Sequence, residues 1–104
     1  MKILTSNPVI DYQNKEIKNE KGEVITLREI ISVALNSFIE GETLTSELKN
    51  KIYQISIKLW SKDELELTVD DAAFIKERAG KTLTALAFGR LVEVIELSAD
   101  KKAE

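Results

Sequence analysis

From Leu27 to Phe38 the apolar residues Leu27, Ile30, Ile31, Ala34, Leu35 and Phe38 recur at steps of three and four, the spacing that lines one face of an α-helix. This stretch constrains the chain most, because a strand would scatter the same residues over both faces. Its start has the form of a capping box, Thr26-Leu27-Arg28-Glu29. There the threonine hydroxyl is expected to accept from the amide three residues on while Glu29 reaches back. Gly41 is expected to close the helix in a left-handed conformation. Leu48, Ile52, Ile55 and Leu59 predict a second helix from residue 45 or 46 to about 61, with Tyr53 and Trp60 widening its flank. Thr68, with Asp71 three residues on, caps a third carrying Ala72, Ala73, Phe74, Ile75 and Ala79 and closed by Gly80. Leu83, Leu86, Ala87, Leu91, Val94 and Ile95 predict a fourth, over residues 82–98.

The first quarter reads differently. Residues 9–12, 16–18 and 23–26 are short runs with β-branched or aromatic members, and Asn19-Glu20-Lys21-Gly22 is a hairpin turn between the last two. Asn14-Lys15 can close a tighter turn upstream. Residues 64–67 alternate polar and apolar, the period of a half-buried strand. Residues 23–29 and 64–71 both read as short strand, threonine cap, acidic first turn and helix. Their strands are expected to pair and bring the starts of the first and third helices together. With 104 residues, the chain fits one domain. The expected fold is α+β, mainly α: about four helices with a small N-terminal hairpin or short sheet in one compact domain. Residues 1–26 form the hairpin-like segment, 27–98 the helical body and 99–104 a frayed tail.

Composition removes whole classes of chemistry. With neither Cys nor His there is no disulfide, no thiol nucleophile, no ordinary zinc site and no Ser-His-Asp triad. Gly80-Lys81-Thr82 imitates the end of a phosphate-binding loop, but the upstream glycine position holds Ile75. No run approaches the ~20 apolar residues that cross a bilayer, and residues 1–8 lack the apolar core of a signal peptide. The expectation is a cytoplasmic protein, with no catalytic residue, no metal and no cofactor assigned.

The formal net charge of −3 is local. Residues 63–80 hold Asp63, Glu64, Glu66, Asp70, Asp71 and Glu77 against Lys76 and Arg78, a net −4. Glu64, Glu66, Asp70 and Asp71, with nearby Trp60, are therefore the candidate interaction surface. A basic partner or a hard cation could meet it, although the spacing is not that of a calcium loop. The simpler reading gives Asp70 and Asp71 to the dipole of a helix start and Glu64 and Glu66 to the wet face of an edge strand. As neighbours on a helix, Asp70 and Asp71 point about 100° apart, so they do not form a converging acid/base pair.

Two further patterns bear on partners. The third and fourth helices around Gly80, with Lys76, Arg78, Lys81 and Arg90, can be read as a helix-turn-helix. The chain has only three arginines, however, and its third helix opens in the most acidic segment. Phe88-Gly89 is a candidate close-packing point, within the chain or at a dimer seam. Tyr53, Trp60, Phe74 and Phe88 are expected in or at the edge of the core.

The order of these elements, a short hairpin ending in VITLREIISVAL, a second helix, ELELTVDDAAFIKERAG and a last apolar helix, resembles small proteins encoded in tailed-phage and prophage genomes, mostly without assigned function. The likeness runs from about Val24 to Glu96 and rests on capping and packing motifs, so it carries no catalytic or ligand residues across. It implies a non-enzymatic phage or prophage accessory protein that acts by protein–protein contact, in virion assembly or on a host factor. Such a protein would be cytoplasmic in the host or virion-associated, could form homo-oligomers, and would bind neither nucleic acid nor membrane. The alternative is a small DNA-associated regulator using the third and fourth helices.

Overall fold

Ile3 and Leu65 are each the buried middle residue of a three-residue strand, β1 (Lys2–Leu4) and β2 (Glu64–Glu66), and they face each other across an antiparallel pair. This two-stranded sheet joins the beginning of the chain to its middle. The computed structural model describes residues 2–103, with side chains through Ser98. Four helices accompany the sheet among the described residues: α1 (Leu27–Asn36), α2 (Ser46–Ser61), α3 (Val69–Thr82) and α4 (Ala85–Ala103). The chain is a mainly α, α+β protein. Helix α1 packs against α2, α3 and α4, and its Ile31, Ala34 and Leu35 sit at the centre of the core with Leu59, Ile75, Leu91 and Ile95. The helix expected at 45 or 46 to 61 is α2, with Ile52, Ile55 and Leu59 buried and Leu48 packed at the core edge. The stretch expected as a tail after residue 98 instead continues α4, whose backbone is helical through Ala103; Glu104 is outside the described residues.

The pairing expected between residues 23–26 and 64–67 does not form. Residues 23–26 are occupied by their own turn-rich segment, and β2 takes β1 instead. The segment from Pro8 to Thr26 is a ring of main-chain hydrogen bonds rather than a two-stranded hairpin. Val9 N–H donates to Ile25 O (2.8 Å), Ile25 N–H to Ile17 O (2.8 Å) and Ile17 N–H to Val9 O (3.2 Å). The three residues are eight apart, and an Asx residue follows the first two by two positions. Asp11 Oδ1 accepts from the amides of Gln13 and Lys15, and Asn19 Oδ1 accepts from those of Lys21 and Glu23. Asn14 and Gly22 hold the matching left-handed positions, with φ of 63° and 81°. Both expected turns are present, at 11–15 and 19–23, and they are two copies of one motif.

Helix ends account for most departures from expectation. Thr26 is the N-cap of α1, but its hydroxyl makes no capping bond. The first-turn amides already have partners: Leu27 N–H donates to Asn7 O, Arg28 N–H to Thr5 O and Glu29 N–H to Thr26 O. Main-chain carbonyls have replaced the capping box. Thr68 caps α3 as expected, accepting from Asp71 N–H at 3.0 Å. Helix α1 stops at Asn36, short of Gly41: Ser37 turns to an extended conformation, and the carbonyls of Ala34 and Ser37 are taken by Arg78 instead of by further helical amides. Phe38 therefore leaves the apolar stripe and is 86% exposed, while Gly41, at φ 82°, serves the turn closed by Glu42 N–H on Ile39 O. Gly80 does not end α3, which continues to Thr82; it lies against Phe88, whose ring would be 3.5 Å from an added Cβ. Leu83 is the C-cap residue of α3 rather than part of α4. Gly89 faces open space and marks no close packing.

Candidate functional site

Helix α2 has apolar residues on two sides. Its core side is Ile52, Ile55 and Leu59; its outer side is Tyr53, Ile57 and Trp60, at i, i+4 and i+7 and all more than half exposed. Tyr53 and Trp60, expected at the core edge, lie instead on this outer stripe, and Trp60 is 56% exposed. Phe74 and Phe88 do pack against the core. The loop between α1 and α2 adds Phe38 and Leu44 beside Tyr53. These three side chains border a cleft of about 390 Å³, whose walls are the end of α1 at Leu35 and Asn36, the loop, and α2 at Lys49, Ile52 and Ser56, with Arg78 at its base. That volume falls in the usual range of binding pockets.

Lys49 lines the cleft, and no carboxylate does. Among the described residues Lys49, Lys58 and Lys62 enter no ion pair, and Lys51 stacks its ammonium 4.6 Å from the Phe74 ring centre. The Arg28 guanidinium lies 5.4 Å from the Trp60 ring.

The three arginines, with Lys76 and Lys81, serve the fold. Arg28 donates to the carbonyls of Leu59 and Lys62 at the end of α2 and pairs with Asp63. Arg78, 3% exposed, donates to the carbonyls of Ala34 and Ser37 and to both carboxylate oxygens of Glu42. Arg90 donates to the carbonyls of Ile10 and Asp11, which fastens the ringed segment to α4. Lys76 pairs with Glu96 and Lys81 with Glu77. The four cations expected around a helix-turn-helix are thus each engaged within the chain. Arg78, one of the cations of that helix-turn-helix reading, is buried because it lies on α3 between Ile75 and Ala79, which are both buried.

The acidic candidates are spread along the chain after α2. Glu64 and Glu66 share the exposed face of β2, with Glu64 3.6 Å from Lys2. Asp70 and Asp71 stand in the first turn of α3, where the helix dipole favours them. No group of three or more Asp and Glu among the described residues is placed to hold a metal ion. Trp60 belongs to the outer stripe of α2 and is the one member of the candidate set on that apolar face. No helix among the described residues is long and apolar enough to cross a membrane. No protein-family model, curated protein or solved structure matches the chain.

Proposed function

We propose that the protein is a non-enzymatic binding module whose outer α2 face and adjoining cleft receive an acidic amphipathic segment of another protein. The observation that carries this reading is the outer α2 stripe of Tyr53, Ile57 and Trp60, all more than half exposed, which meets at Tyr53 a cleft bordered by the exposed Phe38 and Leu44. Contiguous exposed apolar surface of this kind is unusual on a protein with no partner, and aromatic residues are the common anchors of protein interfaces. Lys49, which lines the cleft without an ion partner among the described residues, favours a partner of opposite charge, since the cleft offers no carboxylate of its own. An amphipathic helix with apolar residues at i, i+3/i+4 and i+7 fits such a groove. The likeness to small phage and prophage proteins gives the setting: the segment belongs to a virion component or a host protein.

Selection from a random peptide library on the immobilised protein tests this reading. The expected outcome is a consensus of aliphatic or aromatic anchors flanked by Asp and Glu, with binding lost in Phe38→Ala and Tyr53→Ala. Failure to enrich any sequence, or a basic consensus, overturns it. Titration with vesicles rich in anionic lipid is run beside it. Vesicle binding that Tyr53→Ala and Trp60→Ala abolish would assign the face to a membrane surface instead.

A further inference from the structure

The loop at 37–45 supplies Phe38 and Leu44 to this face, yet little of its own holds it in place. Its main-chain bonds are local: Glu42 N–H to Ile39 O, and Thr45 N–H to Thr43 O. The long-range attachments come from one side chain on another helix. Arg78 Nε reaches Ala34 O at 3.1 Å, Nη2 reaches Ser37 O at 3.1 Å, and Nη1 lies 2.9 and 2.8 Å from Glu42 Oε1 and Oε2. The first two bonds fix the end of α1. The third fixes the middle of the loop, between Phe38 and Leu44. The guanidinium is also 5.8 Å from the Phe74 ring, so α3 holds it from behind.

We infer that Arg78 and Glu42 are a positioning pair, a clamp that holds Phe38 and Leu44 in the arrangement in which the cleft receives its partner. This rests on the binding reading above and adds how the site is kept competent. Removing the Glu42 carboxylate leaves Arg78 its two carbonyl partners on α1 and at its end, so the guanidinium stays in place, at a cost in overall stability because its buried charge loses its counter-ion. The loop loses its long-range anchor. The apparent affinity of a site that is correctly formed for a fraction of the time falls by that fraction. A clamp whose loss drops the competent population to about one tenth weakens binding about tenfold with every contact residue still present.

The test uses Glu42→Ala and Glu42→Gln in the full chain. Backbone ¹⁵N relaxation should show residues 38–44 passing from the order of the helices to the mobility of a free loop in Glu42→Ala, with α1 and α3 unchanged. Glu42→Gln, which keeps one acceptor oxygen for Nη1, should lie between. The library-selected peptide should bind Glu42→Ala about tenfold more weakly and Glu42→Gln to an intermediate degree. Residues 38–44 as ordered in Glu42→Ala as in the unaltered protein would overturn the clamp. So would a mobile loop with undiminished peptide affinity. A wild-type protein that selects no peptide defeats the binding reading itself, and the relaxation data then decide on their own whether the pair holds the loop.

Discussion

Thr5 places both its main-chain N–H and its hydroxyl on a single oxygen, the carbonyl of Asp63, at 2.7 and 2.8 Å. Thr5 is fully buried, and its own carbonyl accepts from Arg28 N–H at 2.9 Å. One residue at the end of β1 thereby joins the α2–β2 corner to the first turn of α1. Thr5→Val preserves shape and the N–H bond while deleting the hydroxyl bond. We expect a loss of about 1 kcal/mol, the usual net worth of a buried hydrogen bond whose acceptor keeps another partner. Urea denaturation of the two proteins measures it; equal midpoints would mean the hydroxyl does not support the corner.

Thr26 and Thr68 look alike in sequence and should respond differently to removal. The Thr68 hydroxyl caps Asp71 N–H at 3.0 Å, so Thr68→Ala should cost about 1 kcal/mol. Thr26 makes no side-chain cap, and the α1 amides are satisfied by the carbonyls of Asn7, Thr5 and Thr26 itself. Thr26→Ala should therefore cost less than about 0.5 kcal/mol, as for an ordinary substitution away from a cap. Equal losses at the two sites would show that the Thr26 hydroxyl does cap in solution.

The contrast between these threonines shows which parts of the fold were legible in sequence. Periodicity found the four helices and the alternation of β2, because burying an apolar face is a local pattern with a fixed period. Helix ends were less readable. A cap is defined by which donors remain unpaired, and for α1 that depends on residues 5–7 arriving from outside the helix. The burial of Arg78 is illegible for the same reason: its partners lie on α1 and the following loop, 36 to 44 positions away. β1 gave almost no signal at three residues, and its pairing with β2 spans most of the chain. The eight-residue repetition in the ringed segment was present as Val9/Ile17/Ile25 and Asp11/Asn19. Its polar members differ, and only the bonding pattern makes them equivalent. Of the candidate surface, Trp60 lies on the apolar face. That face itself was hidden, because Tyr53 and Trp60 are as compatible with a wide core stripe as with a second, outward one.

The two Asx turns allow a test by acidification. Main-chain N–H bonds from Lys15 and then Gln13 hold the Asp11 carboxyl below its ordinary value of 3.8, with the charges of Lys15 and Arg90 adding to them. A carboxyl lowered in the folded state favours folding above its unfolded value, and that contribution is lost as the pH falls through the folded one. The Asn19 turn has the same geometry with a neutral side chain. In an NMR titration the Gln13 and Lys15 amides should shift with a midpoint below 3.8, while those of Lys21 and Glu23 follow no such transition. A midpoint at or above the ordinary value would mean that the Asp11 turn is not closed in solution.

Ser56 gives the remaining expectation. Its Oγ is buried and, among the described residues, has no hydrogen-bond partner, although the residue sits on α2 beside the cleft. A hydroxyl withdrawn from water without a partner costs about 1–3 kcal/mol, and serine is also a poorer helix former than alanine by a few tenths of a kcal/mol. Ser56→Ala should therefore stabilise the protein, by about 1 kcal/mol once partial relaxation of the site is allowed for. In a domain of this size that raises Tm by about 4–8 °C. Calorimetry reads the change directly, and a lowered Tm would show that the hydroxyl has found an acceptor. Peptide affinity measured on the same variant separates the two roles that a serine beside the cleft can have. A stabilised protein with unchanged affinity makes the hydroxyl a defect of packing, whereas a stabilised protein with weakened affinity makes it a group that awaits the bound segment.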